Sequence, residues 1–143
     1  MEGVGVTSGA PNPQFWRGRR VLITGHTGFK GGWLAHWLKR AGADVFGYSM
    51  EPPSQPSLFA AAGIAGELQH WHGDIRDLPS LQVAVAEISP EIVFHMAAQP
   101  LVRPSYDNPV DTFSTNVMGT LHVLEASKRA GVRGGTNRRI QRQ

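Results

Sequence analysis

The sequence contains no cysteine, which excludes disulfides and thiolate metal sites and suits a reducing, cytoplasmic setting. It has no run approaching ~18 uninterrupted apolar residues, so no segment reads as a transmembrane helix. Met1–Gln14 lacks a basic region followed by an apolar core, which excludes a secretory signal; it reads as a disordered lead-in. Acidic residues are missing from the end of the chain. All 11 lie at or before Glu125, while Lys128–Gln143 carries six basic residues. The net charge of +3 belongs to that tail, because Met1–Ser127 holds eight basic and 11 acidic residues, a net of −3. A basic tail alone is a poor footprint for nucleic acid, and no such partner is expected. Tyrosine is scarce too: Tyr48 and Tyr106 are the only two, and neither has a lysine four residues on.

What is present suits one α/β domain, or a large piece of one. Strand-like and helix-like segments alternate along 143 residues that include 17 glycines. Arg19–Thr24 is a short apolar run ending at a glycine, as a buried parallel strand should be. Phe29, Trp33, Trp37, Leu38 and Ala41 then recur at helical spacing, with Gly42 as the stop. Asp44–Tyr48 reads as the second strand, and the prolines of Glu51–Ser57 as a loop at its carboxyl end. A short helix is expected at Leu58–Ala62, closed by Gly63, and a third strand at Leu68–His72. Leu78, Leu81, Val85 and Ile88 mark an amphipathic helix capped by Asp77. Glu91–His95 is the fourth strand, and Val110, Phe113, Val117, Leu121 and Leu124 form one apolar stripe of a long helix ending at Gly131. The expected fold is a Rossmann-type, doubly wound parallel sheet that stops after about four strands. Residues 1–14 would be the lead-in, 15–133 the dinucleotide-binding half and 134–143 a basic tail without periodicity. A fifth strand should start near that tail, and without it the fourth strand would be an open, apolar edge.

Thr24-Gly25-His26-Thr27-Gly28-Phe29-Lys30-Gly31 bridges the first strand and the first helix. In that setting the G-x-x-G-x-x-G spacing carries meaning. Gly25 permits the tight turn, Gly28 lets backbone N–H groups approach a pyrophosphate, and Gly31 lets the helix sit close on the sheet. The helix start supplies unpaired N–H donors and partial positive charge. His26 is expected to serve through its backbone. Gly3-Val4-Gly5, with no strand before it, carries no such meaning.

The other strand ends add weaker signals. Asp74, after the third strand, could accept from an adenine amino group while Ile75 packs on the ring, or it could form an Asx turn. Glu51 is either a ribose ligand or a solvated loop charge. No basic residue lies between Val45 and Ala65 to welcome a 2′-phosphate, which favours NAD over NADP. Ala97 and Ala98 are small enough for a cofactor to pass, and Gln99 is either a ligand of cofactor or substrate or a loop amide. His95 reads as a packed strand-end histidine. His70 and His72 share a strand face without a third ligand, so no metal is expected. Trp33 and Trp37 read as core or interface anchors.

Several strings together resemble the extended short-chain dehydrogenase/reductases, over about Phe15–Val132. They are Gly25–Leu34, Pro56–Phe59, Gly73–Asp77, His95–Arg103 and Thr115–Thr120. His-Thr-Gly-Phe-Lys-Gly-Gly-Trp and Ala-Ala-Gln-Pro-Leu-Val are the selective ones, and they are similar to the nucleotide-sugar 4,6-dehydratases that act on CDP-glucose. The resemblance implies that Gly25, Thr27, Gly28, Phe29, Lys30 and Gly31 cradle the cofactor's pyrophosphate. It implies that Asp74 and Ile75 hold adenine, that Ala97, Ala98 and Gln99 line the cofactor path, and that Asn116 orders the active-site backbone. It further implies NAD as cofactor, a nucleotide-sugar substrate, a homo-oligomeric full-length form and an internal redox reaction. Hydride leaves the sugar at C4, water is lost across C5 and C6, and the hydride returns to C6. The family's Tyr-x-x-x-Lys pair, its acid and base for elimination and its substrate domain have no counterpart here. The chain as written is therefore expected to have no catalytic residues of its own and to be inactive. Rival readings are another sugar-nucleotide epimerase or dehydratase, a non-catalytic NAD-binding module, and an S-adenosylmethionine-dependent methyltransferase.

Overall fold

The computed structural model describes residues 12–132 and 134–137. Most of the expected lead-in, and the tail beyond residue 137, lie outside the described residues. Where the lead-in should end, Pro13–Trp16 makes one helical turn (α1), with Asn12 accepting from the Gln14 N–H at 3.0 Å.

Five parallel strands form one sheet in the order β3-β2-β1-β4-β5. They are β1 (Arg20–Thr24), β2 (Asp44–Ser49), β3 (Gln69–His72), β4 (Ile92–His95) and β5 (Gly134–Asn137). Val21, Leu22 and Ile23 are fully buried because β1 is central and covered on both faces. Leu22 joins Tyr48, Leu81, Val85, Ile88, Val93 and Val123 in one core layer. Val21 and Ile23 point the other way, onto Ala35, Leu38, Val45, Phe59 and Ile64. Successive residues of one strand thus feed opposite layers, the period of two that a strand dictates.

The first layer is built by α4 (Leu78–Ile88) and α7 (Gly119–Arg129), the second by α2 (Phe29–Arg40) with α3 (Leu58–Ala61) and a 3₁₀ turn at Ile64–Gly66. Asp77 caps α4, accepting from the Ser80 N–H at 3.2 Å. Between β4 and α7 run α5 (Val102–Asp107), α6 (Pro109–Phe113) and a π turn at Ser114–Met118.

One expectation is corrected. β4 is not an open edge: β5 pairs with it from Ile92↔Gly134 to His95↔Asn137. A parallel ladder needs only extended backbone, so a segment with no apolar pattern can still form one. The long helix does not bury its large apolar stripe. Val110 is 79% exposed and Leu124 51%, with Phe113, Val117 and Leu121 between them in exposure, while Gly119, Val123 and Ala126 face the sheet. In α2 likewise, Trp33 (53% exposed) and Trp37 (40%) lie outside the core, and Gly31, Gly32, Ala35 and Leu38 are buried. Small residues let each helix approach the sheet closely, which turns the bulky stripe outward. Trp37 instead meets Trp16 of α1, ring centroids 5.9 Å apart.

Candidate functional site

The carboxyl ends of β1, β2, β3 and β4 open on one side of the sheet, and a cavity of about 460 Å³ lies across them. Crevices at this end of an open α/β sheet are where ligands bind, because loops diverge there and helix amino ends point in. Its lining includes Gly25, Thr27, Gly28, Phe29, Lys30 and Gly31 from the β1–α2 turn, and Asp74, Ile75, Ala97 and Ala98 from the ends of β3 and β4. Those ten residues, spread over 74 positions of sequence, meet at one hollow.

Gly25 has φ +75°, and a Cβ there would sit 2.6 Å from the Ala97 nitrogen. Both facts require glycine: the backbone is left-handed, and β4's continuation passes too close for any side chain. A Cβ on Gly31 would overlap the Gly25 carbonyl, so α2 can start this near the turn only without one. Gly28 precedes the helix with no side-chain cap. Among the described residues no protein acceptor takes the N–H groups of Phe29, Lys30 or Gly31, and the first helical bond runs from Gly32 to Gly28 at 2.8 Å. Three free donors at a helix start, facing a hollow that glycine keeps clear, fit an anionic diphosphate.

Thr27 is nearly buried, and its hydroxyl donates to the Met50 carbonyl at 3.1 Å, leaving the Ser49 hydroxyl to donate to it at 2.8 Å. This ties the turn to the end of β2. Glu51 lies on the cavity wall, its carboxylate exposed and 3.3 Å from His72 Nδ1. His26, expected to act through its backbone, is fully buried, with Nε2 2.7 Å from His70 Nδ1. That role was not read from sequence, because histidines 44 residues apart give no local sign of contact.

Asp74 forms the Asx turn, accepting from the Arg76 N–H at 2.9 Å, and also takes the Arg76 guanidinium, Nη2 to Oδ2 at 2.6 Å. These hydrogen bonds hold its carboxyl below the usual range. Arg76 reaches Asp111 as well. The Ile75 side chain is buried against Gly119, committed to the core rather than free to lie on a ring. Tyr48 is core: burial, with Asp77 and Asp74 nearby, pushes its hydroxyl up to about 12. Tyr106 is exposed on α5, and neither tyrosine lines the cavity. No group of three His, Cys, Asp or Glu that could hold a metal occurs among the described residues.

Gln99 and Asn116 stand behind the wall, not on it. The Asn116 amide takes the Gln99 N–H at 2.8 Å and donates to the Gln99 carbonyl at 3.0 Å. The Gln99 side chain is spent on Leu101 and Thr112, so it does not point at the cavity as a ligand would. Met50, Pro53, Met96, Pro100, Leu101 and Thr115 line the cavity without having been singled out.

The chain shares 56% identity over 117 residues with CDP-glucose 4,6-dehydratase of Salmonella typhimurium, covering 82% of this chain and 33% of that protein. UDP-glucose 4-epimerase of Mycolicibacterium smegmatis is 35% identical over 114 residues, 80% of this chain and 36% of that one. The chain thus spans about a third of the length of the curated relatives it matches. Among solved structures, Thermus thermophilus UDP-glucose 4-epimerase in complex with NAD superposes with a TM-score of 0.73 at 30% identity, over 81% of this chain and 36% of that one. The Stenotrophomonas maltophila UDP-glucose-4-epimerase with bound NAD and formylated UDP-arabinopyranose gives 0.74 at 26% identity, over 83% and 36%. The family model for GDP-mannose 4,6 dehydratase matches residues 22–141, running through β5 into the basic tail. The chain belongs to the GDP-mannose 4,6 dehydratase family.

Proposed function

We propose that this chain is the NAD-binding, amino-terminal part of a nucleotide-sugar dehydratase that converts CDP-glucose to CDP-4-keto-6-deoxyglucose and water. The observation that carries the reading is the cradle: Gly25 pressed against Ala97, Gly31 against Gly25, and the free N–H groups of Phe29, Lys30 and Gly31 on one cavity. The 56% identity with a CDP-glucose 4,6-dehydratase supports this substrate over other sugar nucleotides.

In this reading the N–H groups of Phe29–Gly31 hold the pyrophosphate and Lys30 adds positive charge. Asp74 accepts from the adenine amino group with the carboxylate lone pairs that Arg76 leaves free, and the main chain of Ile75 borders the same ring. Glu51 accepts from the adenosine ribose hydroxyls. Ala97 and Ala98 form the wall beside the dinucleotide, and Gln99 and Asn116 fix that wall from behind. The bound nicotinamide supplies a hydride acceptor for oxidation at the sugar's C4 and a donor for reduction at C6. The 143 residues hold no Tyr-x-x-x-Lys pair, so the chain on its own binds cofactor without turning over sugar. The exposed stripe from Val110 to Leu124 is its surface for self-association.

Calorimetric titration of the purified chain with NAD+, NADP+ and S-adenosylmethionine tests the reading. Saturable binding of NAD+, weaker NADP+ and no S-adenosylmethionine binding is the expected result. Preference for S-adenosylmethionine would overturn it. No helix among the described residues is long and apolar enough to cross a membrane.

A further inference from the structure

The segment from Met96 to Gln99, which carries the Ala97–Ala98 wall, is held at both ends by hydrogen bonds that lead back to one helical turn. At its far end the Asn116 side chain clamps the Gln99 backbone. At its near end the Met96 N–H is shared between the Thr24 carbonyl at 3.1 Å and Thr24 Oγ1 at 3.2 Å, and the Ala97 N–H donates to Thr24 Oγ1 at 3.3 Å. Thr24 Oγ1 lies 2.7 Å from His95 Nδ1, His95 Nε2 lies 3.0 Å from Thr120 Oγ1, and Thr120 Oγ1 donates to the Asn116 carbonyl at 2.7 Å.

Proton counting fixes every direction in this chain. A hydroxyl has one proton and two acceptor positions. Thr120 spends its proton on Asn116, so it accepts from His95 Nε2, which carries the ring proton. The bare Nδ1 of the neutral ring then accepts the Thr24 proton, while Thr24 Oγ1 turns its lone pairs to the N–H groups of Met96 and Ala97. A second ring proton, on Nδ1, would push the Thr24 proton toward those two N–H groups. Burial agrees, lowering the His95 pKa from 6.5 to about 4.

Thr120 Oγ1 reaches the carbonyl four residues back, the usual back-bond of a helical threonine, and here that carbonyl belongs to the π turn Ser114–Met118. The wall, in turn, touches the cradle where Ala97 crosses Gly25. A shift of the near end of the wall is thus felt at the phosphate-binding turn.

We infer that His95 is a positioning residue: it couples the π turn of the helix to Thr24, and through Thr24 it sets the path of Met96 and Ala97 along the cofactor cavity. This rests on the cofactor reading proposed above. His95 does not reach the cavity itself and takes no part in proton transfer.

Two measurements test it. Long-range ¹H–¹⁵N NMR of the full chain, with His95 assigned by difference from His95→Gln, should show the neutral Nε2–H tautomer persisting below pH 6. A proton on Nδ1, or ordinary titration near pH 6.5, would overturn the inference whether or not cofactor binds. In NAD+ titrations, Thr120→Val should weaken Kd roughly 5- to 10-fold, the worth of one internal hydrogen bond. Thr120→Ser should restore it. His95→Gln, which keeps a donor toward Thr120 but loses the acceptor toward Thr24, should fall between the unaltered chain and Thr120→Val. Thr24→Val combined with Thr120→Val should be much less than additive, because the two hydroxyls act through one ring. Undiminished binding by Thr120→Val, or simple additivity, would overturn the inference alone. Absence of NAD+ binding by the unaltered chain would overturn the cofactor reading and this inference with it.

Discussion

His26 Nε2 and His70 Nδ1 lie 2.7 Å apart beneath the cradle, two imidazoles sharing one proton. His26 Nδ1 is buried with no partner among the described residues. An unpaired acceptor there costs less than an unpaired N–H, so His26 carries its proton on Nε2 and donates it to His70. A further proton on His26 would enter a dry space with nothing to receive it. Burial first, and His70 second, lower its pKa from 6.5 to about 4. His70 is lowered as well, by burial and by His72 against the pull of Glu51.

Stability should therefore depend on pH in a defined window. Above about 6.5 these histidines are neutral folded or unfolded and contribute no slope. Between about 6.5 and about 4 the unfolded chain binds protons that folded His26 and His95 refuse, so stability falls as pH falls. Each group is worth up to ~3 kcal/mol across the window. The carboxylates of Asp74, Asp77 and Glu91 have depressed values and are lost only at lower pH. Denaturant midpoints from pH 4 to 7.5 check this. His95→Gln should show a shallower slope, with the part due to His26 and His70 remaining; a flat profile would contradict the assignment of both rings as buried and neutral.

Gly25→Ala should abolish NAD+ binding. Its φ of +75° strains any side chain, by roughly 1–2 kcal/mol. The new Cβ, 2.6 Å from the Ala97 nitrogen, would in addition force the wall away from the turn. Gly18→Ala is the control. Its φ is similar at +71° but nothing lies within 4 Å, so it should lose stability and keep the cofactor. Equal NAD+ affinity in both variants would mean that the contact with Ala97 is irrelevant to the site.

The glycine turn was legible because each glycine answers a local demand, a left-handed φ or a backbone crossing, and such demands leave a spaced signature. The strands were legible for a similar reason: Val21–Ile23 and Ile92–Phe94 are apolar runs of strand length. The helices' faces were not. Periodicity shows the stripes Phe29, Trp33, Trp37 and Val110, Phe113, Val117, Leu121, but not which way they face. Contact with the sheet is instead made by Gly31, Gly32 and Ala35 in one helix and Gly119, Val123 and Ala126 in the other. Gln99 stays open between ligand and loop amide in the sequence because its partners, Thr112 and Asn116, are 13 and 17 residues away.

Glu51 should govern the choice between NAD+ and NADP+. Ser49, the other polar residue at the end of β2, is occupied with Thr27 at 2.8 Å. The Glu51 carboxylate is exposed on the cavity wall, and its pairing with His72 is a surface contact worth little. It is thus free to accept from ribose hydroxyls and to repel a 2′-phosphate. Glu51→Gln should weaken NAD+ binding about 10-fold and narrow its preference over NADP+. Retention of the full preference in parallel titrations would place the discrimination elsewhere.

Self-association should occur through the helical stripe and not through the sheet edge beside β4. With β5 paired along β4, the apolar Ile92, Val93 and Phe94 no longer present open backbone on that side. Phe113, Val117, Leu121 and Leu124 are each at least half exposed, and they continue from Tyr106 and Val110 of the preceding helices. Phe113, Val117, Leu121 and Leu124 are spaced three or four residues apart and so share one side of the helix, and an exposed apolar strip of this kind suits an interaction surface. Leu121→Glu with Leu124→Glu places two charges at its carboxyl-terminal end and keeps good helix formers there. Sedimentation velocity should show a concentration-dependent species for the unaltered chain and a monomer for the double variant. Melting temperatures should agree within a few degrees, since neither leucine is in the core. If the double variant still associates, the outer strands β3 and β5 are the remaining candidates, and charged substitution at Gln69 tests the first.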